Sequence, residues 1–220
     1  MSKTSVIITA GGLGKRMQSV LPKQFIQVND KPILMYTIER FYHFDPKSQL
    51  IVVLPDEWLD YWENLLVEYD FKIPHRIVEG GQERYHSIKN ALQHCTGDII
   101  AVHDGVRPLV SEDTIKGCLK SARENSTAVP VLPITESIRK KDGETTVAVS
   151  RKNYMIVQTP QCFRQEVIRK AYEQPFNELI TDDASLVESM GVEITTVSGN
   201  EENIKITSQS DLKYAELLLK

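Results

Sequence analysis

The chain has 220 residues, 41% of them hydrophobic and 25% charged, with 26 Lys and Arg against 30 Asp and Glu and a formal net charge of -4. That is enough apolar material for one self-supporting core. The negative balance excludes a general nucleic-acid binder, which needs a basic face, so positive charge must be used locally. No apolar run reaches membrane-spanning length. No secretory signal is legible near the N-terminus, so a cytoplasmic location is expected. Cys95, Cys118 and Cys162 are widely spaced without a C-x-x-C, which reads as buried thiols in a reducing compartment. His43, His75, His86, His94 and His103 show no metal-ligand spacing.

The first element is a β-branched run, residues 5–9, that reads as a buried strand. It empties into Ala10-Gly11-Gly12-Leu13-Gly14, whose glycines let backbone N–H groups approach a ligand. Lys15, Arg16 and, after Pro22, Lys23 follow, with no Asp or Glu before Asp30. A glycine loop after a strand, loaded only with positive charge, is a polyanion site, and a nucleotide triphosphate is the working ligand. It is not a Walker A loop, because Arg16 follows Lys15 where Ser or Thr is needed. It is not a dinucleotide fingerprint either, because Leu54-Pro55 stands where the ribose-binding acid would be. The structural alternative is a tight turn, in which Lys15 is merely solvated; Arg16 and Lys23 are the better phosphate ligands.

Further strands read at 50–54, 75–79, 98–103 and 128–132. Between them lie helices: one after Pro32 through Phe41, one opened by Pro55-Asp56-Glu57 through Leu66, one over 83–92 and one over 112–122 with Ser111 as N-cap. The repeated βαβ pattern predicts an α/β fold, a doubly wound and mainly parallel sheet with helices on both faces. Ligands of such sheets sit beyond the carboxyl ends of the strands. From 134 to 151 the alternation breaks. Residues 137–139 and 146–150 alternate apolar and polar around Asp142-Gly143, which predicts an inserted β-hairpin. A lone hairpin is marginal in water, so this one must lie on its own domain or on a second copy of the chain, and a dimer arm is expected. Helices resume at 165–172 and 182–190, a strand reads at 192–197 and a short one at 204–207, and Ser208-x-x-Asp211 opens the last helix as a capping box. The 220 residues read as one domain with an arm at about 134–152.

Two more strand-end loops carry chemistry. In Gly80-Gly81-Gln82-Glu83 the paired glycines let a flat base lie against backbone, and Ser87, one turn into the helix, points back at the same place; a plain helix start fits too. In Val102-His103-Asp104-Gly105-Val106-Arg107-Pro108, Asp104 could bind sugar hydroxyls or a metal and Arg107 a phosphate, or the two could be a surface ion pair of small worth. Thr181-Asp182-Asp183 reads first as an N-cap with acids in the first turn, and 203–207 as an edge strand with one exposed Lys.

Taken together AGGLGKRM…PKQ, GGQERYHSI, VHDGVRP, the QTPQ.F of 158–163, TDDA at 181–184 and NIKIT at 203–207 resemble, in order and spacing, the 2-C-methyl-D-erythritol 4-phosphate cytidylyltransferases over nearly the whole chain. The resemblance implies a Rossmann-like nucleotidyltransferase fold and a cytosolic, Mg²⁺-dependent homodimer. Its reaction would join CTP to a sugar-alcohol phosphate in the non-mevalonate isoprenoid route. By matching position it implies that Ala10, Gly11 and Gly12, with Gly14 and Lys15 beside them, wrap the nucleotide. Arg16, Lys23 and Lys205 would act on the triphosphate, Gly81, Gln82 and Ser87 read cytosine, and Asp104 and Gly105 meet the sugars. Arg107, Thr181 and Lys205 would line the acceptor side, with Ser137 and Arg151 reaching in from the partner's arm. Mg²⁺ would be held mainly through the triphosphate, with Asp104 as a candidate protein ligand. The sequence departs from the usual family pattern at Gly11 (Ala is usual), at Gly105-Val106 (an Ala pair) and at Glu136-Ser137 (Asp-Thr), the last keeping the hydroxyl on a side chain less constrained at χ1. Three alternatives stay open: a ribitol 5-phosphate cytidylyltransferase, a transferase for another base, and a non-catalytic nucleotide-binding protein on the same fold.

Overall fold

The computed structural model describes residues 3–12 and 21–219. Its central strand, β1 (Thr4–Thr9), is apolar on both faces, and its pleat divides the core. The remaining elements follow in chain order: β2 (Gln27–Val28), β3 (Lys31–Pro32), α1 (Ile33–Phe44), β4 (Gln49–Leu54), α2 (Leu59–Glu68), β5 (Arg76–Glu79), α3 (Arg84–Leu92), β6 (Ile99–Asp104), α4 (Glu112–Asn125) and β7 (Thr127–Pro133). Then come β8 (Ile138–Asp142), β9 (Thr145–Val149), β10 (Met155–Val157), β11 (Gln161–Arg164), α5 (Gln165–Ala171), α6 (Asp183–Glu188), β12 (Thr196–Ser198) and α7 (Gln209–Leu218). Val6 and Ile8 pack under α1, α2 and α4, against Leu34, Ile38, Phe41, Trp62 and Cys118. Ile7 faces the other way, with Ile51 and Val53, under α3, α5 and α6, against Ile88, Ile168 and Val187. A third cluster joins Val28, Ile33, Val106 and Ile206 to α7. No described helix is long and apolar enough to cross a membrane.

Among the described residues the main sheet has eight strands, ordered β10-β7-β11-β6-β1-β4-β5, with β12 on β7. The β6-β1-β4-β5 half is parallel, in the register Thr9↔Asp104, Thr9↔Val53 and Leu54↔Glu79. That register brings the ends of β1, β5 and β6 to one edge, so the three strand-end loops singled out in the sequence converge there.

The five strands read in the βα region form within a residue or two of their expected bounds, and Ser111 and Ser208 cap α4 and α7 as expected, accepting from Thr114 N and Asp211 N. Four readings change. β11 stands where the sequence reading placed no element, and it runs antiparallel between β6 and β7. The strand expected at 192–197 shortens to Thr196–Ser198. The 182–190 helix shortens to Asp183–Glu188. Residues 203–207 form no strand, although Ile206 N donates to Val106 O at 3.0 Å. The β8–β9 hairpin is present, but Asp142 pairs with Thr145, so its loop is Gly143-Glu144 with Gly143 at φ 60°. Glycine first in a two-residue loop matches the strand twist. The hairpin forms its own two-stranded sheet, and residues 139–148 are exposed.

Candidate active site

The converging loops enclose a cleft of about 290 Å³. On its first wall Ala10 N donates to Val53 O at 2.9 Å, and the buried Gln24 donates from Nε2 to Ala10 O at 2.6 Å. Both backbone groups of Ala10 are therefore fixed before the glycines begin. Lys23 lies against the loop: a Cβ on Gly12 would sit 3.4 Å from its Cε and 3.9 Å from its Nζ. Gly11, Gly12 and Lys23 line the cleft, whereas Gly14, Lys15 and Arg16 lie outside the described residues.

The second wall is the turn into α3. Gly80 N donates to Leu54 O at 2.7 Å, Gly81 N donates to Ser87 Oγ at 3.1 Å, and Ser87 Oγ donates to Glu83 O at 3.2 Å. The Ser87 hydroxyl thus braces the Gly81 turn from below, and both residues line the cleft with Gln82. A Cβ on Gly81 would fall 2.3 Å from the Cβ of His86. Only glycine permits this approach.

The third wall is Asp104, at the end of β6. It is 7% exposed, and its Oδ2 takes Arg107 Nε at 3.0 Å and Lys205 Nζ at 3.2 Å. Burial alone would raise this carboxyl; Lys205, Arg107 and Arg84 together outweigh it and hold Asp104 ionised far below the usual carboxylate range. Lys205 reaches the cleft from a segment without regular structure, held by side chains. Arg107 Nη1 donates to Asn203 O at 2.7 Å, and the fully buried Asn203 donates to Thr159 O at 2.8 Å. Gln158 Nε2 donates to Asn200 O and Asn203 O at 2.9 and 3.2 Å. Arg107 is bonded to Asp104 and to the Lys205 segment and is not on the cleft wall; the ion pair that the sequence offered beside the phosphate-ligand reading is present, and it is buried, not on the surface. Gly105 packs its amide 2.8 Å from Thr9 O, where a Cβ would meet that oxygen at 3.0 Å.

Three other expected acceptor residues lie apart from this cleft. Thr181 lines a neighbouring cavity of about 280 Å³ that shares Glu83 and Arg84 with it. Ser137 is exposed at the foot of β8, and Arg151, also exposed, donates from Nη1 to Thr135 O. Neither lines the cleft of its own chain. Thr181-Asp182-Asp183 is mainly architecture: Asp182 caps α6, while the fully buried Asp183 takes Arg84 Nη2 at 2.6 Å and the Tyr172 hydroxyl at 2.6 Å. Burial works against the Arg84 charge, but Asp183 more than restores it. Arg84 and Gln24, both on the cleft wall, were not picked out in the sequence. Gln24 follows Lys23 directly and Arg84 sits inside GGQERYHSI, so position beside a candidate was the available signal.

Among the described residues no three His, Cys, Asp or Glu side chains converge as a metal cage. Both cations on Asp104 engage Oδ2. One hard carboxylate beside a polyanion cradle fits an ion such as Mg²⁺, which takes its remaining ligands from phosphate oxygens and water.

Backbone amides and two lysines at the carboxyl edge of a parallel sheet suit a polyphosphate, and the fold that presents them is the Rossmann-like fold of nucleotidyltransferases. Residues 4–220 match the family model described as 2-C-methyl-D-erythritol 4-phosphate cytidylyltransferase. The enzyme of that name from Bacteroides fragilis is 47% identical over 220 residues, covering 100% of both chains. Among solved structures, 4-diphosphocytidyl-2C-methyl-D-erythritol synthase from Anaerococcus prevotii superposes with a TM-score of 0.83 at 25% identity, covering 99% of this chain and 98% of that one. The Francisella tularensis 2-C-methyl-D-erythritol 4-phosphate cytidylyltransferase gives 0.82 at 30% identity, covering 99% and 100%. The chain belongs to the 2-C-methyl-D-erythritol 4-phosphate cytidylyltransferase family and is a cytidylyltransferase.

Proposed function

We propose that this chain transfers CMP from CTP to the phosphate of 2-C-methyl-D-erythritol 4-phosphate and releases pyrophosphate. The observation that carries the reading is the placing of Lys23, against Gly12, and Lys205, 3.2 Å from buried Asp104, in one cleft. The nucleophile is a phosphate monoester oxygen, already anionic near neutrality. No side chain has to remove a proton, which suits a cleft whose one nearby buried imidazole, His103, is held neutral with its pKa lowered to about 4 by burial. The difficulty is to bring two anions together. Catalysis then rests on positioning and charge neutralisation.

In this reading the backbone of Gly11 and Gly12, carried on the fixed Ala10, cradles the triphosphate, with Arg16 and Lys23 as its cations. Gly81 and Gln82 read the cytosine edge on a turn braced by Ser87. Asp104 and Gly105 meet the sugars, and Lys205 stabilises charge at the α-phosphorus. Arg107 works from behind, fixing Asp104 and the backbone before Lys205. A Mg²⁺ bound through the phosphates, with Asp104 as its protein ligand, would supply further neutralisation and ease departure of pyrophosphate.

The whole chain acts as one domain, with residues 134–152 as a dimerisation arm. An exposed two-stranded hairpin needs cover, and Ser137 and Arg151 would then complete the acceptor side of a partner's cleft beside Thr181. The test is pyrophosphate release with CTP and Mg²⁺ against 2-C-methyl-D-erythritol 4-phosphate, ribitol 5-phosphate and no acceptor. The first acceptor should be preferred. Preference for ribitol 5-phosphate would overturn the acceptor and leave the triphosphate site standing; tight CTP binding with no release for either acceptor would overturn the enzyme.

A further inference from the structure

His103 is buried beside the cleft and takes no part in the transfer chemistry described above. It precedes Asp104 on β6, is fully buried, and stands edge-on to Phe41 with ring centroids 4.8 Å apart. Both ring nitrogens are bonded: Nε2 lies 3.0 Å from Arg107 O, and Nδ1 lies 3.0 Å from Thr159 Oγ1. The partners dictate which nitrogen bears the proton. A carbonyl oxygen only accepts, so Nε2 must carry the hydrogen and Nδ1 is a lone pair in the neutral ring. Nδ1 then accepts from the Thr159 hydroxyl, whose oxygen in turn accepts from Asp104 N–H at 3.1 Å. The three bonds have one consistent direction. They start at the amide of Asp104 and end at the carbonyl of Arg107, the two ends of a turn that Arg107 N closes on Asp104 O at 3.1 Å.

We propose that His103 is a positioning residue for the transfer: as the neutral Nε2–H tautomer it ties both ends of the 104–107 turn to Thr159 and so aims the Asp104 carboxylate at Lys205 and the Arg107 guanidinium at Asp104 and the Asn203 carbonyl. The proposal rests on the function given above for that cluster. Its scope is limited to one wall. Gly12 and the Gly81 turn stand on the other two walls of the cleft, so loss of the tautomer should misplace Asp104 and Lys205 more than the glycine loops. Thr159 is 6% exposed, so a valine there keeps the shape and removes both hydroxyl bonds, while a serine keeps them.

The experiment combines a spectrum with kinetics on the full-length enzyme. Long-range ¹H–¹⁵N correlation of the wild type at neutral pH, assigned with His103→Asn, should show His103 neutral with the hydrogen on Nε2. The Nδ1–H tautomer or an imidazolium overturns the proposal, with or without activity. Folded Thr159→Val should lose about 10-fold to 100-fold in kcat, the scale of a small misplacement of reacting groups, a loss larger than any rise in its KM for CTP. Thr159→Ser should retain most of kcat. In a cycle with His103→Asn, the double variant should be little worse than the poorer single one, because both cut one chain. Additive losses, or wild-type kcat in Thr159→Val, overturn the proposal. Should Thr159→Val fail to fold, the spectrum and the Thr159→Ser kinetics decide. A wild type inactive with every acceptor yet showing the expected tautomer would instead count against the function itself.

Discussion

Lys205→Ala separates catalysis from folding at this site. The substitution removes an ammonium 3.2 Å from Asp104 Oδ2 whose side chain is 43% exposed. On the stability side the pair is half open to water, so its loss costs at most about 1 kcal/mol. Arg107 Nε remains 3.0 Å from the same oxygen, so Asp104 is not stranded. For a chain of 220 residues that corresponds to a melting shift of about 2–4 °C. On the catalytic side a preorganised donor to developing charge is lost, which is worth about 10²- to 10³-fold in kcat, or roughly 2.7–4 kcal/mol. The assay is pyrophosphate release at saturating CTP and acceptor, paired with thermal melting. Lys205→Arg keeps the charge on a wider, planar fork and should fall between the two. A folded Lys205→Ala enzyme with kcat within about threefold of wild type would remove Lys205 from the mechanism.

Gly81→Ala would place a methyl 2.3 Å from the Cβ of His86; the turn must shift, with about 1–3 kcal/mol lost in urea unfolding and a raised KM for CTP. Asp183→Ala leaves Arg84 without its 2.6 Å partner and removes a buried charge contact, so about 3–5 kcal/mol of stability should go, and a melting temperature equal to wild type would contradict that. Burial lowers the His103 pKa from 6.5 to about 4. As pH falls below 6.5 the unfolded chain takes up a proton that the folded chain refuses, so stability declines until about pH 4, by roughly 3 kcal/mol. His75, also lowered by burial, adds in the same direction, whereas Asp104, held low, is protonated only under more acid conditions. Urea unfolding should therefore already be weaker at pH 4.5 than at pH 7; equal stability at the two would refute it.

What the sequence made legible was local. β1, β4 and β6 are runs of apolar residues that cannot be placed anywhere but in a sheet interior, and the loops after Thr9, Glu79 and Asp104 follow from that placement. Ser111, Ser208 and the 134–151 hairpin could be read because caps and tight turns are decided by a few adjacent residues. What could not be read depends on distant partners. Residues 203–207 look like a strand, but they are positioned by Arg107, Gln158 and Thr159 through side chains, without a ladder. β11 is hidden because Gln161-Cys162-Phe163 is buried throughout and shows no alternation. Arg84 and Asp183 are far apart in sequence, and nothing local says that one neutralises the other. An Arg three residues after an Asp could be read as a ligand or as its ion-pair partner, but the backbone of Asn203 on its other end could not.

The most direct test follows the phosphorus. CTP labelled at the α-phosphate and, separately, at the γ-phosphate is turned over with 2-C-methyl-D-erythritol 4-phosphate and Mg²⁺, and the products are separated. Attack of the acceptor phosphate at the α-phosphorus puts all α-label into the nucleotide–alcohol diphosphate and all γ-label into pyrophosphate, with no release when the acceptor is omitted. Label from the α-position in pyrophosphate, or release independent of the acceptor, would contradict the account.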